Sequence, residues 1–216
     1  MKIAVRVTAL ILAAITLPAC GKTDFDVQIA PPAVPVIAAK SNSSSQKNQV
    51  SVIGAEQLNF VLNPLTTICN PVNFRVNYAA AATSSIEQAL GGIEGGHERN
   101  PRKFTVTIED FNARVMSQFV ESFVMRHDVE VRVTLLSQES TSTGPEVARR
   151  GAASLYHEPA PDTSGFCDDG QLSLAHTMKA VFSEALERLV RDIERGKVAN
   201  PVGSTSPTPA NNSPST

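Results

Sequence analysis

The sequence contains no tryptophan, two tyrosines and three cysteines in 216 residues. With 42% apolar and 19% charged residues, that scarcity fits one modest globular body flanked by segments that form cores poorly. Domains run to roughly 100–150 residues once tails are excluded, so a single core is expected and a large enzyme is not. The chain also lacks an excess of positive charge. Removing Lys2 and Arg6 with an export leader leaves 17 of the 19 basic residues against 21 acidic ones, a balance of −4. A nucleic-acid binder needs a basic patch or stripe, so no nucleic-acid partner is expected. No apolar run is long enough to span a bilayer, since the longest, Val7 to Leu17, falls well short of about 20 residues.

That run has another use. Lys2 and Arg6 give a positive n-region, Val7–Leu17 an apolar h-region, and small residues follow, which is the layout of an export signal. The segment Leu17-Pro18-Ala19-Cys20 resembles the lipobox of bacterial lipoproteins. That resemblance implies cleavage of residues 1–19 and acylation of Cys20, the chain's lipid-bilayer contact. The rival reading is an ordinary secretory signal cut after Ala19. Gly21, in place of Asp, follows the cysteine, and the sorting pattern of Gram-negative lipoproteins then implies the outer membrane with the body facing the periplasm. Residues 20–49, rich in Ala, Pro, Ser, Asn and Gln, read as a flexible tether. Residues 50–196 read as one α+β domain, and the Ser-, Thr- and Pro-rich residues 197–216 as a disordered tail.

Cys69 and Cys167 remain. An exported compartment is oxidising, so the two are expected to form a structural disulfide closing the body on itself. A free thiol stays open as an alternative; a metal site or catalytic thiol would need a nearby histidine or second cysteine, absent from the neighbouring sequence.

Apolar and polar residues alternate over Val50–Phe60 and Val72–Tyr78, over Phe104–Ile108 and Val129–Leu135, and over Val147–Tyr156, each predicting a strand. Phe111–Arg126 suits either strand or helix; a long hairpin is the preferred reading. Ser84 and Glu87 read as a capping box opening a short helix that stops at Gly91-Gly92, with a surface loop from Ile93 to Pro101. Leu172, Ala175, Met178, Phe182, Ala185, Leu186, Leu189 and Ile193 recur at three- and four-residue intervals. They predict an amphipathic helix capped by Asp168 or Asp169 and ended by Gly196. A helix lying on a lipid surface is the rival, disfavoured by the balanced charge of its polar face. The expected fold is therefore α+β: an antiparallel meander covered on one face by a short N-terminal helix and a long C-terminal one.

Motifs of chemistry are missing. His97, His127, His157 and His176 stand far apart and read as surface or loop residues, with no metal-type pairing. There is no nucleophile elbow, phosphate-binding loop or nicotinamide fingerprint. Glu109, Asp110, Asp168 and Asp169 would serve acid/base work only if gathered at a cleft; turn and cap roles explain them. No catalytic residue, cofactor or metal is expected. The element order behind the lipobox is similar to that of small envelope accessory lipoproteins, the YajG-like group and the LPS-assembly lipoprotein LptE, over residues 50–195. Anchor, leash, small body and missing catalytic signature together point to a non-catalytic accessory that binds an envelope protein partner through a sheet edge or loop; Arg149-Arg150 and the 93–102 loop read equally as contact points or as solvated surface. A small-ligand or lipid-binding module is the alternative, and a hydrolase a more distant one.

Overall fold

The computed structural model describes residues 23–35, 47–63, 65–66, 72–93, 101–121, 124–140, 146–158 and 168–198. The leader, Cys20, Cys69, His97, Cys167 and residues 199–216 lie outside the described residues. In chain order the elements are β1 (Thr23–Val27), β2 (Gln49–Ile53), a 3-10 turn (Ala55–Leu58), β3 (Asn59–Leu62), β4 (Leu65–Thr66) and β5 (Val72–Asn77). Then follow α1 (Ala79–Gly91), β6 (Lys103–Glu121), β7 (Val124–Ser140), β8 (Val147–His157) and α2 (Asp168–Val198).

The class is α+β, and β6, β7 and β8 form the antiparallel meander. It is extended by β2 and β4, which both run parallel to β6. A second sheet, ordered β1-β5-β3, holds β1 parallel and β3 antiparallel to β5. The continuous strand read over Val50–Phe60 is broken in two, because Gly54 adopts φ 79° and turns the chain into the 3-10 turn. There Gln57 Nε2 donates to the carbonyl of Ile108 at 2.7 Å, holding the break against β6.

The long hairpin resolves the ambiguous stretch. Phe104, Val106 and Ile108 face inward, but Phe111, Ala113 and Val115 continue on odd positions. The pairing shifts between Ile108 and Asp110, leaving Glu109 as an extra residue. One extra residue moves every later side chain to the other parity, so the bulge keeps a single apolar face along the strand.

Against that face lies α2, on β7 and β8. Leu174, Met178, Val181, Phe182, Ala185, Leu186, Leu189, Val190 and Ile193 are buried, while Lys179, Glu184, Glu187, Arg188 and Arg191 face solvent. Two expectations fail here. Leu172 is 67% exposed, since it lies on the opposite side of the helix from the buried stripe of Leu174, Met178 and Val181. Gly196 lies within the helix and does not end it; a Cβ there would overlap the Arg149 guanidinium, so the glycine makes room for that side chain. Gly151 serves a similar close approach, where a Cβ would overlap the Ala185 carbonyl and Leu189.

The short helix α1 packs on β2, the 3-10 turn and α2, at one margin of the sheet. It starts at Ala79, where Asn59 Oδ1 accepts the backbone N–H at 3.0 Å, and Ser84 and Glu87 sit inside it. The run Ala79–Ala82, made of the best helix former, carries the helix upstream of the expected capping box. At the far end Gly92 has φ −88°, so no left-handed cap forms. Asn48 Nδ2 donates instead to the carbonyls of Leu90 and Ile93, at 2.9 and 2.8 Å, satisfying groups a helix end leaves unpaired. Ile93, expected in a surface loop, is buried.

The largest correction concerns the tether. Residues 23–27 form β1 with Val27 buried, and the Pro-rich chain beyond is strapped to both helices. Ala33 N–H donates to Ser183 Oγ at 2.9 Å, and Ser85 Oγ donates to the Pro32 carbonyl at 3.4 Å. Composition alone resembles a linker; partners on β5, α1 and α2 order these residues. Part of the stretch expected as tether, residues 23–35, is thus packed on the body.

Candidate functional site

The body has two distinct ends. Gly170, in the first turn of α2, packs against Phe74 and His127, whereas Gly196 packs against Arg149 of β8, which pairs with Ser137 of β7. Helix α2 therefore runs alongside β7 in the same direction. The end where α2 begins also holds the turn of the β6–β7 hairpin and the last residues of β8. Through Phe74, paired with Phe25 and Leu62, it further holds the starts of β1 and β5. This is the hairpin end.

Its interior carries a cross-strand pair: Ser117 and His127 stand directly opposite, with Oγ and Nδ1 2.7 Å apart and both side chains buried. A serine beside a histidine has the makings of a nucleophile and base. Asp128 follows His127 in the strand and faces the other side of the sheet. Gly170 closes over the imidazole from above, leaving Cβ-sized clearance of only 3.2 Å to its Cγ. The pair locks β6, β7 and α2 together.

On the outer face Asp128 is 3% exposed beneath a polar cover. Gln118 Nε2 donates to its Oδ2 at 3.0 Å, and Arg126 lies 2.8 Å from its Oδ1 while also pairing with Glu158. The Tyr156 hydroxyl is pushed up in pKa by desolvation and by its hydrogen bond to Asp128. The opposite end has its own lock: Arg102 pairs in two-pronged fashion with Glu139, both 11% exposed, and stacks 4.9 Å over the Phe104 ring. The Arg102 N–H also reaches Asn48 Oδ1 at 3.1 Å.

The carboxylates singled out from sequence are not gathered. Glu109 pairs with Arg150 at 2.8 Å on the outer face and Asp110 is exposed, whereas Asp168 and Asp169 open α2 on the inner face. Arg150 pairs with Glu109 and stays 63% exposed, Arg149 lies beside Gly196, and Arg102 pairs with Glu139. Residues 94–100 of the proposed contact loop lie outside the described residues. His176 is exposed and His157 half-buried, with ring centroids 6.1 Å apart, whereas His127 is buried, against the expectation of a surface residue there. Among the described residues no group of three or more His, Cys, Asp or Glu is placed to hold a metal ion. No described helix is long and apolar enough to cross a membrane.

What remains open is an edge. Among the described residues β8 pairs only with β7 along its 11 residues. Arg188 of α2 reaches round and donates to the Ala152 carbonyl at 2.7 Å, which marks Ala152 as facing outward from the sheet. Backbone groups of alternate residues then share that direction, including Ser154 and Tyr156. Sequence reasoning missed Ser117, His127 and Asp128; their signal is position, since residues equidistant from the hairpin turn face each other.

No protein-family model matches the chain, and no curated protein matches it. Among solved structures it is similar to protein XCC0632 from Xanthomonas campestris, of the family described as DUF330, at 12% identity and TM-score 0.39 over 82% of this chain and 99% of that one. It is also similar to a minor lipoprotein from Acinetobacter baumannii, at 12% identity and TM-score 0.35 over 71% of this chain and 95% of that one. Likeness at this level assigns no function.

Proposed function

We propose that the chain is an outer-membrane lipoprotein, acylated at Cys20 and facing the periplasm, that serves as a non-catalytic accessory by binding another envelope protein. The observation that carries this reading is Leu17-Pro18-Ala19-Cys20, preceded by a charged and then apolar leader and followed by Gly21. Each buried acyl methylene contributes about 0.8 kcal/mol, so several chains on one cysteine hold a protein at a bilayer without a spanning helix. The edge of β8 supports the binding role. An extended segment of a partner would add a strand there, its backbone pairing with the outward groups of Ser154 and Tyr156. Arg188 holds the middle of that edge and limits indiscriminate pairing.

The test places a photo-crosslinker at Ser154 in cells of a Gram-negative host, with Asn112, exposed on the outer face of β6, as the control. One discrete envelope adduct from position 154 and none from 112 is the expected result. Recovery of the lipoprotein alone from both positions contradicts the accessory role.

A further inference from the structure

We infer that His157 and His176 together bind one divalent transition-metal ion, with water filling the remaining coordination positions. The two stand on different elements, His157 closing β8 and His176 near the start of α2, so no spacing motif joins them in the sequence. The fold brings their ring centroids to 6.1 Å, with the planes inclined by 48°. The inference goes beyond acylation of Cys20 and depends on neither the anchor nor a protein partner.

Distance decides whether one ion can bridge the rings. A metal–nitrogen bond of about 2.0–2.1 Å, added to the reach from nitrogen to ring centre, holds two imidazoles on one ion with centroids at most about 6.5 Å apart. The observed separation lies within that limit. A bent arrangement needs the rings closer, and the exposed His176 side chain supplies that adjustment by changing rotamer.

Both rings also have nitrogens to offer. Among the described residues neither makes a hydrogen bond or an ion pair. His127 is the contrasting case, with Nδ1 2.7 Å from Ser117 Oγ and the ring buried against Gly170. His157 is half-buried and His176 exposed, so an ion reaches them from solvent and keeps bound water there. Their supports are rigid: His157 pairs with Val129 in the sheet, and α2 is fixed by its buried stripe. Ligands held on a strand and a helix over one core are positioned before the ion arrives, which lowers the ordering cost of binding.

The ligand chemistry selects the ion. Imidazole nitrogen suits Ni²⁺, Cu²⁺ and Zn²⁺, whereas Mg²⁺ and Ca²⁺ take oxygen ligands. Among the described residues no third His, Cys, Asp or Glu joins the pair, so the site is open and its ion exchangeable. Once bound, the ion ties the last residue of β8 to α2 and stiffens that end of the open sheet edge.

The test titrates Ni²⁺ calorimetrically into the full chain and into His157→Asn, His176→Gln and the double variant. One ion per native chain is expected. Affinity should fall at least about tenfold in either single variant and no further in the double one, because both imidazoles serve one ion. Mg²⁺ at the same concentration should not bind. Absence of Ni²⁺ binding by the native chain, or binding unchanged in both single variants, overturns the site. Losses that add in the double variant overturn it too, since they mark two separate ions, and equal binding of Mg²⁺ overturns the imidazole assignment. Should His157→Asn fail to fold by circular dichroism, His176→Gln decides alone, because that side chain is exposed.

Discussion

Tyr78 is fully buried at the end of β5, edge-on to Phe182 with ring centroids 5.1 Å apart, and its hydroxyl has no partner among the described residues. A buried hydroxyl without a hydrogen bond costs about 1–3 kcal/mol. Tyr78→Phe is accordingly expected to stabilise the protein by about 1 kcal/mol, read as a higher urea midpoint with unchanged slope. Burial also raises the phenol's pKa above the ordinary 10.0. The native state therefore keeps a proton that the unfolded chain releases, so the Tyr78 contribution is complete below pH 10 and declines as pH rises further. Tyr78→Phe should flatten that alkaline decline. Gly151 works in the opposite sense: Gly151→Ala drives a methyl into the Ala185 carbonyl and Leu189, with an expected loss of about 1–3 kcal/mol in the same experiment. Residues of this kind were not legible from sequence. The apolar spacing that identified Met178, Phe182 and Leu189 gave Leu172 the same standing, because successive three-residue steps drift round a helix and carry Leu172 off the buried face.

Elements were legible where one physical signal dominated. The period of α2 and the alternation of β6, β7 and β8 reflect burial against a single neighbouring layer, and those four elements emerge close to expectation. Where order comes from distant partners, the signal vanishes. The chain from Thr23 to Pro35 looks like a linker because its apolar area is small; β5, Ser85 and Ser183 supply what it lacks. The bulge at Glu109 was hidden because Ile108 and Phe111 each alternate correctly with their own neighbours, and only the change of parity between them reveals an inserted residue. Deleting Glu109 tests that reading. It would leave Ile108, Phe111, Ala113 and Val115 on one face of a regular strand with their β7 partners unchanged. A cooperative thermal unfolding transition retained in circular dichroism is the expected result, and its loss would contradict the inserted residue.

At the scale of the whole molecule, the hairpin end gathers the start of β1, the last residues of β8 and the exposed Leu172. The described residues nearest the two remaining cysteines, Val72 and Asp168, also begin their elements at this end. The expected Cys69–Cys167 disulfide would thus join the small sheet to α2, and a peptide map without reductant should recover the two cysteines in one cross-linked species. Reduction should then destabilise the body by at most about 4.7 kcal/mol, the chain-entropy value for a loop of about 100 residues. Position at a membrane depends on a different cysteine. The decisive measurement is the mass of the mature N-terminal peptide from a Gram-negative host. A chain beginning at Cys20 and carrying a diacylglyceryl group is the predicted result. An unmodified Cys20, or a retained leader, would contradict membrane attachment.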